Sequence, residues 1–181
     1  MTASKKDILF FVRIIGVLLV ITMCVAALLA LVNEITKDKI AENEAAMLEN
    51  AVKKLFPDAQ SPKTEKVSVK LKDSTFKGLY ELKDNGTTVG YYAEVTPKGF
   101  KGEVAMLVGI TVSGDVCGIE ILSTSETPGI GDKIEKKSYL DKIAKGEYDT
   151  ISGATYSSKA VINGTKTALK AYKTMTDGEG A

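Results

Sequence analysis

The chain has 181 residues, a formal net charge of +1, two cysteines and no histidine. The lack of histidine excludes Ser-His-Asp and Cys-His catalysis, histidine-ligated zinc and histidine-held haem. Basic and acidic residues are nearly balanced and form no basic run, which excludes nucleic-acid binding through clustered Lys and Arg. Cys24 and Cys117 alone cannot ligate an iron–sulfur cluster. Any redox chemistry therefore needs an organic cofactor, and we expect neither a metal site nor a catalytic side chain.

An apolar segment near the N-terminus predicts a membrane anchor. Residues 14–32 are uncharged, and at about 1.5 Å per residue they approach the ~30 Å hydrocarbon core of a bilayer. A cleaved signal peptide is the alternative, although its apolar core usually has only about 7–15 residues. Lys5, Lys6 and Arg13 precede the segment, whereas mixed charges follow it. The positive-inside rule therefore predicts a single-pass protein of the cell (inner) membrane, with a cytoplasmic N-terminus and an extracytoplasmic remainder.

The residues after the anchor predict a helix, then strands, then helices. Residues 34–56 carry an apolar stripe (Ile35, Ile40, Met47, Leu48, Ala51, Val52 and Leu55), which favours packing on their own domain over a groove for a partner. Strands are predicted at 67–71, 78–83, 88–95, 104–112 and 116–122, with hairpin turns at 84–86 and 113–115. Helices are predicted at 131–144, with Ile134, Tyr139, Leu140 and Ile143 buried, and at 157–175, with Val161, Ala168, Leu169 and Tyr172 buried.

This order of elements predicts an α+β fold, in which helices pack on a twisted antiparallel sheet behind an N-terminal transmembrane helix. We expect four segments along the chain. They are a cytoplasmic tip with the transmembrane helix (1–33), a juxtamembrane helix (34–60), an extracytoplasmic domain (61–175) and a tail (176–181).

Residues 149–158, DTISGATYSS, form a small-residue loop that leads into the last predicted helix. The first backbone N–H groups of a helix are free and attract anions, so this loop is a plausible place to hold or attach a phosphate. Thr155 offers a hydroxyl there, beside residues too small to shield it. A plain N-cap at Ser157 or Ser158 is the alternative, but a cap does not require the Gly-Ala-Thr sequence before it.

A second loop, residues 126–131 (ETPGIG), also precedes a helix. Its two glycines would let a flat ring lie close against backbone amides, although ordinary turn chemistry of Pro and Gly explains the same residues. Residues 98–102 (KGFKG) are interpreted as a solvated turn rather than a binding site. Because 126–131 and 149–158 both precede helices, they are candidates for the walls of one cleft.

Together these motifs resemble the extracytoplasmic FMN-binding subunits of Rnf-type and Nqr-type respiratory complexes. That family carries the pattern D-x-x-[ST]-G-A-T, whose last Thr receives FMN through a phosphoester bond, and residues 149–155 match every fixed position. Residues 126–133 resemble the second signature of the family, with Ile130 where Leu is usual. Residues 98–102 resemble its Gly-rich loop. Many members have basic or His residues before the Glu of the second signature, where this chain has Thr124 and Ser125.

The resemblance implies an electron-carrier subunit with FMN attached covalently, through its phosphate, to Thr155. The compact chain is closer to the RnfG-like member of Rnf-type complexes, which couple ferredoxin:NAD electron transfer to Na⁺ or H⁺ translocation, than to its longer counterpart in the Na⁺-translocating NADH:quinone reductase. Other membrane and peripheral subunits, and a flavin transferase during maturation, are the implied partners. A membrane-tethered flavin sensor or binding module and an assembly subunit are the alternatives.

The candidate cofactor-binding residues are Thr155 as the attachment point, with Asp149, Ser152, Gly153, Ala154, Ser157 and Ser158 around it, and Glu126, Thr127, Pro128, Gly129, Ile130 and Gly131 in the second loop.

Overall fold

The structure is a computed structural model that describes residues 5–178, with side chains from Phe10 onward. Parts of the predicted cytoplasmic tip and C-terminal tail therefore lie outside the described residues. The chain divides into two compact units, residues 1–46 and 47–181. The elements in chain order are α1 (Lys5–Leu55), β1 (Lys63–Val67), β2 (Phe76–Asp84), β3 (Thr87–Val95), β4 (Val104–Thr111), β5 (Val116–Thr124), a 3-10 helix (Gly131–Glu135), α2 (Lys137–Ala144) and α3 (Thr155–Thr176).

Helix α1 contains the predicted membrane segment. It is the one helix of the described chain that is long and apolar enough to cross a bilayer. Its apolar side chains between Phe10 and Val32 are exposed rather than packed in a protein core. The helix continues through the predicted juxtamembrane segment and ends at Leu55, two residues before Pro57. Proline fits this position because it cannot continue a helix.

The five strands form one antiparallel sheet in chain order, β1-β2-β3-β4-β5. Both predicted hairpins are confirmed. Asn85 (φ 50°) and Gly86 (φ 81°) join β2 to β3 with the two positive φ angles that suit the twist of paired strands. The predicted first strand, 67–71, is wrong: β1 is Lys63–Val67, and residues 68–75 leave the ladder. In this stretch Asp73 accepts hydrogen bonds from Thr75 N (2.9 Å) and Thr75 Oγ1 (2.6 Å), which fixes a turn in place of a strand.

Helices α2 and α3 cover one face of the sheet and form the larger core with β3 and β4. Val161, Ala168 and Tyr172 of α3 are buried as predicted, whereas Leu169 is only half-buried. Gly164 takes a central place in the contact instead, because a Cβ there would lie 2.9 Å from Met106 Sδ. A residue without a side chain thus lets α3 approach the sheet closely.

The opposite face of the sheet is covered by the last two turns of α1. Ala51, Val52, Leu55 and Phe56 pack there with Leu82, Tyr92 and Leu107. Burial raises the pKa of the Tyr92 phenol to about 12. From Leu48 onward the predicted apolar stripe packs on its own domain. Met47, in the same compact unit, is 50% exposed, so the packing prediction is wrong for this residue. Ile35 and Ile40 belong to the other unit and are 69% and 52% exposed.

The predicted helix at 131–144 is two helices, with an extended residue, Lys136 (φ −64°, ψ 125°), between them. All four residues expected to be buried, Ile134, Tyr139, Leu140 and Ile143, are buried. In an unbroken helix, at about 100° per residue, Ile134 and Ile143 would point in opposite directions. The break at Lys136 lets both face the core.

Candidate functional site

The two predicted loops meet at a cavity of about 230 Å³, together with the loop between β3 and β4. This volume is below the ~300–1,000 Å³ of a typical small-molecule pocket, so the cavity is too small to enclose a whole ligand of that size. The lining residues are Phe100, Glu126, Thr127, Ile130, Gly131, Gly153, Ala154, Thr155, Tyr156 and Ser157. A larger cavity of about 540 Å³, between β5 and α2, contains none of the predicted site residues.

Helix α3 begins at Thr155, and no side chain caps its N-terminus. The first hydrogen bond at this end runs from Ser158 N to Ala154 O (2.9 Å), so the N–H groups of the three residues before Ser158 precede the helical ladder. Free N–H groups and the helix dipole together favour an anion at this point. Thr155 is exposed there, next to Gly153, at which an added Cβ would meet nothing within 4 Å.

The alternative that Ser157 or Ser158 is a plain N-cap is wrong, because both residues lie inside α3 and are buried. The Ser158 hydroxyl accepts a hydrogen bond from Ile151 N (3.0 Å). Tyr139 of α2 donates from its hydroxyl to Asp149 O (3.2 Å) and Ser158 O (3.4 Å). Burial raises the pKa of Tyr139, which keeps the phenol protonated as a donor. These bonds hold the loop in front of α3 in place.

Glu126 connects the three segments around the cavity. Its Oε1 accepts hydrogen bonds from Phe100 N (2.7 Å) and Lys101 N (3.2 Å), and its Oε2 accepts one from the Ser157 hydroxyl (2.7 Å). The residue is only 7% exposed. The loop at 98–102, interpreted from the sequence as a solvated turn, is therefore part of the cavity wall. Its similarity to the Gly-rich loop of the family was the one sequence signal for this position.

Most of the predicted residues line the cavity, and the rest lie around it. Glu126, Thr127, Ile130, Gly131, Gly153, Ala154, Thr155 and Ser157 line it; Asp149, Ser152, Pro128, Gly129 and Ser158 do not. Gly129 (φ 77°) has a turn role, since its N–H donates to Asp132 Oδ2 at 2.8 Å. Sequence reasoning missed Phe100 and Tyr156, which are 66% and 69% exposed with ring centroids 6.2 Å apart. Their positions in the sequence, Phe100 within KGFKG and Tyr156 directly after SGAT, were the signal that could have found them.

These residues fit a flavin phosphate on structural grounds alone. An uncapped helix N-terminus supplies free N–H donors, and the neighbouring glycine and alanine leave room for a phosphate beside the Thr155 hydroxyl. Two exposed aromatic side chains and Ile130 provide apolar surface at the rim of the same cavity. Phosphate binding and ring contact are thus both available within one site.

Comparison with known proteins identifies an FMN-binding domain in this part of the chain. Residues 99–170 match the FMN-binding domain family, and residues 16–55 match the RnfG N-terminal region. The G subunit of the ion-translocating oxidoreductase complex of Haemophilus influenzae is 31% identical over 156 aligned residues, covering 73% of this chain and 75% of the relative. The G subunit of the Na⁺-translocating ferredoxin:NAD⁺ oxidoreductase complex of Acetobacterium woodii is 30% identical over an alignment of 186 residues, which covers 88% of this chain and 90% of the relative.

The fold and the site define the class as an α+β FMN-binding domain that follows an N-terminal apolar helix. Within that class, the chain belongs to the RnfG family, the G subunits of ion-translocating oxidoreductase complexes. The resemblance found in the sequence and the predicted α+β fold are both confirmed, and the protein is an oxidoreductase subunit.

Proposed function

We propose that this protein carries electrons within a membrane-bound Rnf-type complex, on FMN that is joined through its phosphate to Thr155. The observation that carries the proposal is the exposed Thr155 at the uncapped start of α3, at the end of the family pattern D-x-x-[ST]-G-A-T. When bound, FMN supplies the one-electron chemistry that amino-acid side chains cannot perform.

Both side chains and backbone N–H groups of the cavity would hold such a group. The Thr155 hydroxyl oxygen provides the ester linkage, and the N–H groups at the start of α3 stabilise the remaining negative charge of the phosphodiester. Phe100, Ile130 and Tyr156 offer apolar contact at the rim. Covalent attachment suits an extracytoplasmic site, because a cofactor that dissociates outside the cell is lost by dilution.

Attachment requires a flavin transferase as a partner during maturation. The Thr155 oxygen forms a bond to the FMN phosphorus of FAD, the pyrophosphate bond breaks, AMP leaves, and the hydroxyl proton is released. In the assembled complex we expect ferredoxin:NAD electron transfer to be coupled to Na⁺ or H⁺ movement by this chain together with other membrane and peripheral subunits. We place the N-terminus in the cytoplasm and the FMN domain outside, because Lys5, Lys6 and Arg13 precede the apolar segment.

Replacing the attachment residue tests the proposal directly. The full chain is expressed with a flavin transferase, denatured, and examined by ultraviolet fluorescence in the gel and by intact mass. Wild type should gain the mass of one FMN less one water, located on the peptide that contains Thr155. Thr155→Val should keep the fold and lose this gain.

Thr150→Val is the matched control, because Thr150 is an exposed threonine in the same loop but does not line the cavity. It should carry flavin as wild type does. Covalent flavin on Thr155→Val, or an unmodified wild type beside an active transferase, would contradict the proposed attachment. Co-purification with other membrane subunits in equal amounts would separate an electron carrier from a free-standing sensor.

A further inference from the structure

Glu126 is a buried carboxylate without a basic partner. Among the described side chains, no lysine or arginine forms an ion pair with it, whereas six other ion-pair contacts occur on the protein. Its partners are two backbone N–H groups, of Phe100 and Lys101, and the hydroxyl of Ser157. Hydrogen bonds to an ionised group are roughly twice as strong as neutral ones, so three of them compensate a large part of the burial.

The three partners come from segments that are distant in the sequence. Phe100 lies 26 residues before Glu126, and Ser157 lies 31 residues after it. All three segments contribute walls to the cavity that contains Thr155. One side chain therefore sets the separation of the β3–β4 loop, the 126–131 loop and the first turn of α3.

Two glycines leave space for the Glu126 carboxylate. A Cβ on Gly99 would clash with Glu126 Oε1, and a Cβ on Gly131 would lie 2.7 Å from Glu126 Oε2. Gly99, in the β3–β4 loop, and Gly131, in the same loop as Glu126, thus both lie close to the carboxylate. The geometry is that of a fixed connection between segments rather than of a mobile surface acid.

Glu126 is not placed to bind the phosphate itself. Both of its oxygens already accept hydrogen bonds from the protein, and a carboxylate repels a phosphate because both carry negative charge. Its effect must therefore pass through the groups that it holds. Ser157 is two residues after Thr155 and belongs to the same first turn of α3.

We propose that Glu126 is a positioning residue for flavin attachment, which holds the Phe100 loop and the first turn of α3 together so that Thr155 is presented in a formed cavity. This inference rests on the proposed attachment at Thr155. It assigns Glu126 to the support of the site, whereas the sequence had suggested a direct cofactor contact.

The test is the initial rate of covalent flavin incorporation into the full chain, with purified flavin transferase and FAD. Glu126→Ala leaves three donors without an acceptor and should slow incorporation by about 10- to 100-fold, the loss that follows when a supporting contact is removed. Glu126→Gln should recover part of the rate, because the amide oxygen accepts the two N–H groups and Ser157 can reorient its hydroxyl. Amide exchange at Phe100 and Lys101 should accelerate in Glu126→Ala.

Asp73→Ala is the matched control. Asp73 also accepts three hydrogen bonds, from Thr75 N, Thr75 Oγ1 and Thr167 Oγ1 (3.0 Å for the last). The bond from Thr167 connects its loop to α3, but Asp73 does not line the cavity. It should lower the Tm yet load flavin as wild type does. If Glu126→Ala fails to fold, Glu126→Gln and Ser157→Ala are measured in its place, and each should show an intermediate loss of the incorporation rate.

The outcomes separate the two proposals. If wild type takes up no flavin, the attachment at Thr155 is wrong. If wild type takes up flavin and the Glu126 variants take it up equally fast, the positioning role is wrong. It is also wrong if Asp73→Ala slows flavin incorporation as much as Glu126→Ala does at an equal fall in Tm. Unchanged amide exchange at Phe100 and Lys101 in Glu126→Ala would also overturn it.

Discussion

Gly131 of the 126–131 loop lies against both Glu126 and Ser157, the second of which belongs to α3. A Cβ at this position would lie 2.8 Å from Glu126 Cβ and 3.1 Å from Ser157 Oγ. The sequence had suggested that the glycines of this loop let a flavin ring approach the backbone. At Gly131 the close approach is instead between parts of the protein, whose packing forms the wall of the cavity.

At the residue scale we therefore predict that Gly131→Ala impairs both folding and flavin attachment. Overpacking at this point should cost about 1–3 kcal/mol of unfolding free energy and reduce covalent flavin, because Glu126 or Ser157 must move. The measurements are urea unfolding of the protein and in-gel fluorescence after exposure to the transferase.

The control is Gly146→Ala, at a glycine with φ 84° and open space around it, outside the cavity. It should destabilise the fold by about 1–2 kcal/mol through its left-handed backbone alone and leave flavin attachment intact. Normal flavin content in Gly131→Ala, at a loss of stability equal to that of Gly146→Ala, would show that the tight contact has no functional role.

Among the secondary-structure elements, the end of α1 packs on the domain as its apolar stripe predicted, but the sequence did not show which residues receive it. Leu55 packs over Gly109 and Gly118, where a Cβ would lie 3.3 Å and 2.9 Å from Leu55 Cδ2. Phe56 packs in the same way over Gly90, where a Cβ would lie 2.5 Å from Phe56 Cε1. Glycines in three adjacent strands thus create a depression in the sheet that receives the helix end, which accounts for residues that otherwise weaken strands.

We predict that Leu55→Ala lowers the unfolding free energy of the domain by about 2–5 kcal/mol, as expected for a buried leucine whose cavity cannot collapse onto glycine. Met47→Ala, at a half-exposed position two turns earlier, should change it by no more than about 0.5 kcal/mol. Guanidinium unfolding of the detergent-solubilised protein measures both. Equal effects of the two substitutions would mean that the helix end does not depend on this contact.

At the scale of the whole molecule, charge determines the orientation that we propose in the membrane. Lys5, Lys6 and Arg13 lie on the N-terminal side of the apolar segment, and the residues immediately after Val32 carry mixed charge. The proposed location of the flavin site outside the cytoplasm depends on this difference in charge between the two ends of the apolar segment. The function proposed for Thr155 and the charge of the first residues are therefore linked.

Reporter fusions after Ala181 test the orientation. Alkaline phosphatase, which needs extracytoplasmic disulfides, should be active, and green fluorescent protein exported by the same route should be dark. Replacing Lys5, Lys6 and Arg13 by glutamine should increase the fraction of chains with inverted orientation. A fluorescent fusion with inactive phosphatase in the wild-type background would place the domain in the cytoplasm and remove the need for covalent retention of the cofactor.

Features that depend on a few neighbouring residues were predictable. The Asn85-Gly86 turn, the β4–β5 hairpin, the apolar segment and the pattern ending at Thr155 are all local, because turn chemistry, hydropathy and helix starts act over a few residues. The α+β fold followed from the order of these elements.

The sequence by itself thus determined the family, the order of elements and the position of Thr155 at a helix start. Only the tertiary structure decided that Glu126 meets Phe100 and Ser157, that glycines of three strands receive the end of α1, and that Lys136 interrupts a helix. The contacts of Glu126 join residues separated by tens of positions. Their partners are selected by the arrangement of the sheet and its packed helices, which no local pattern encodes.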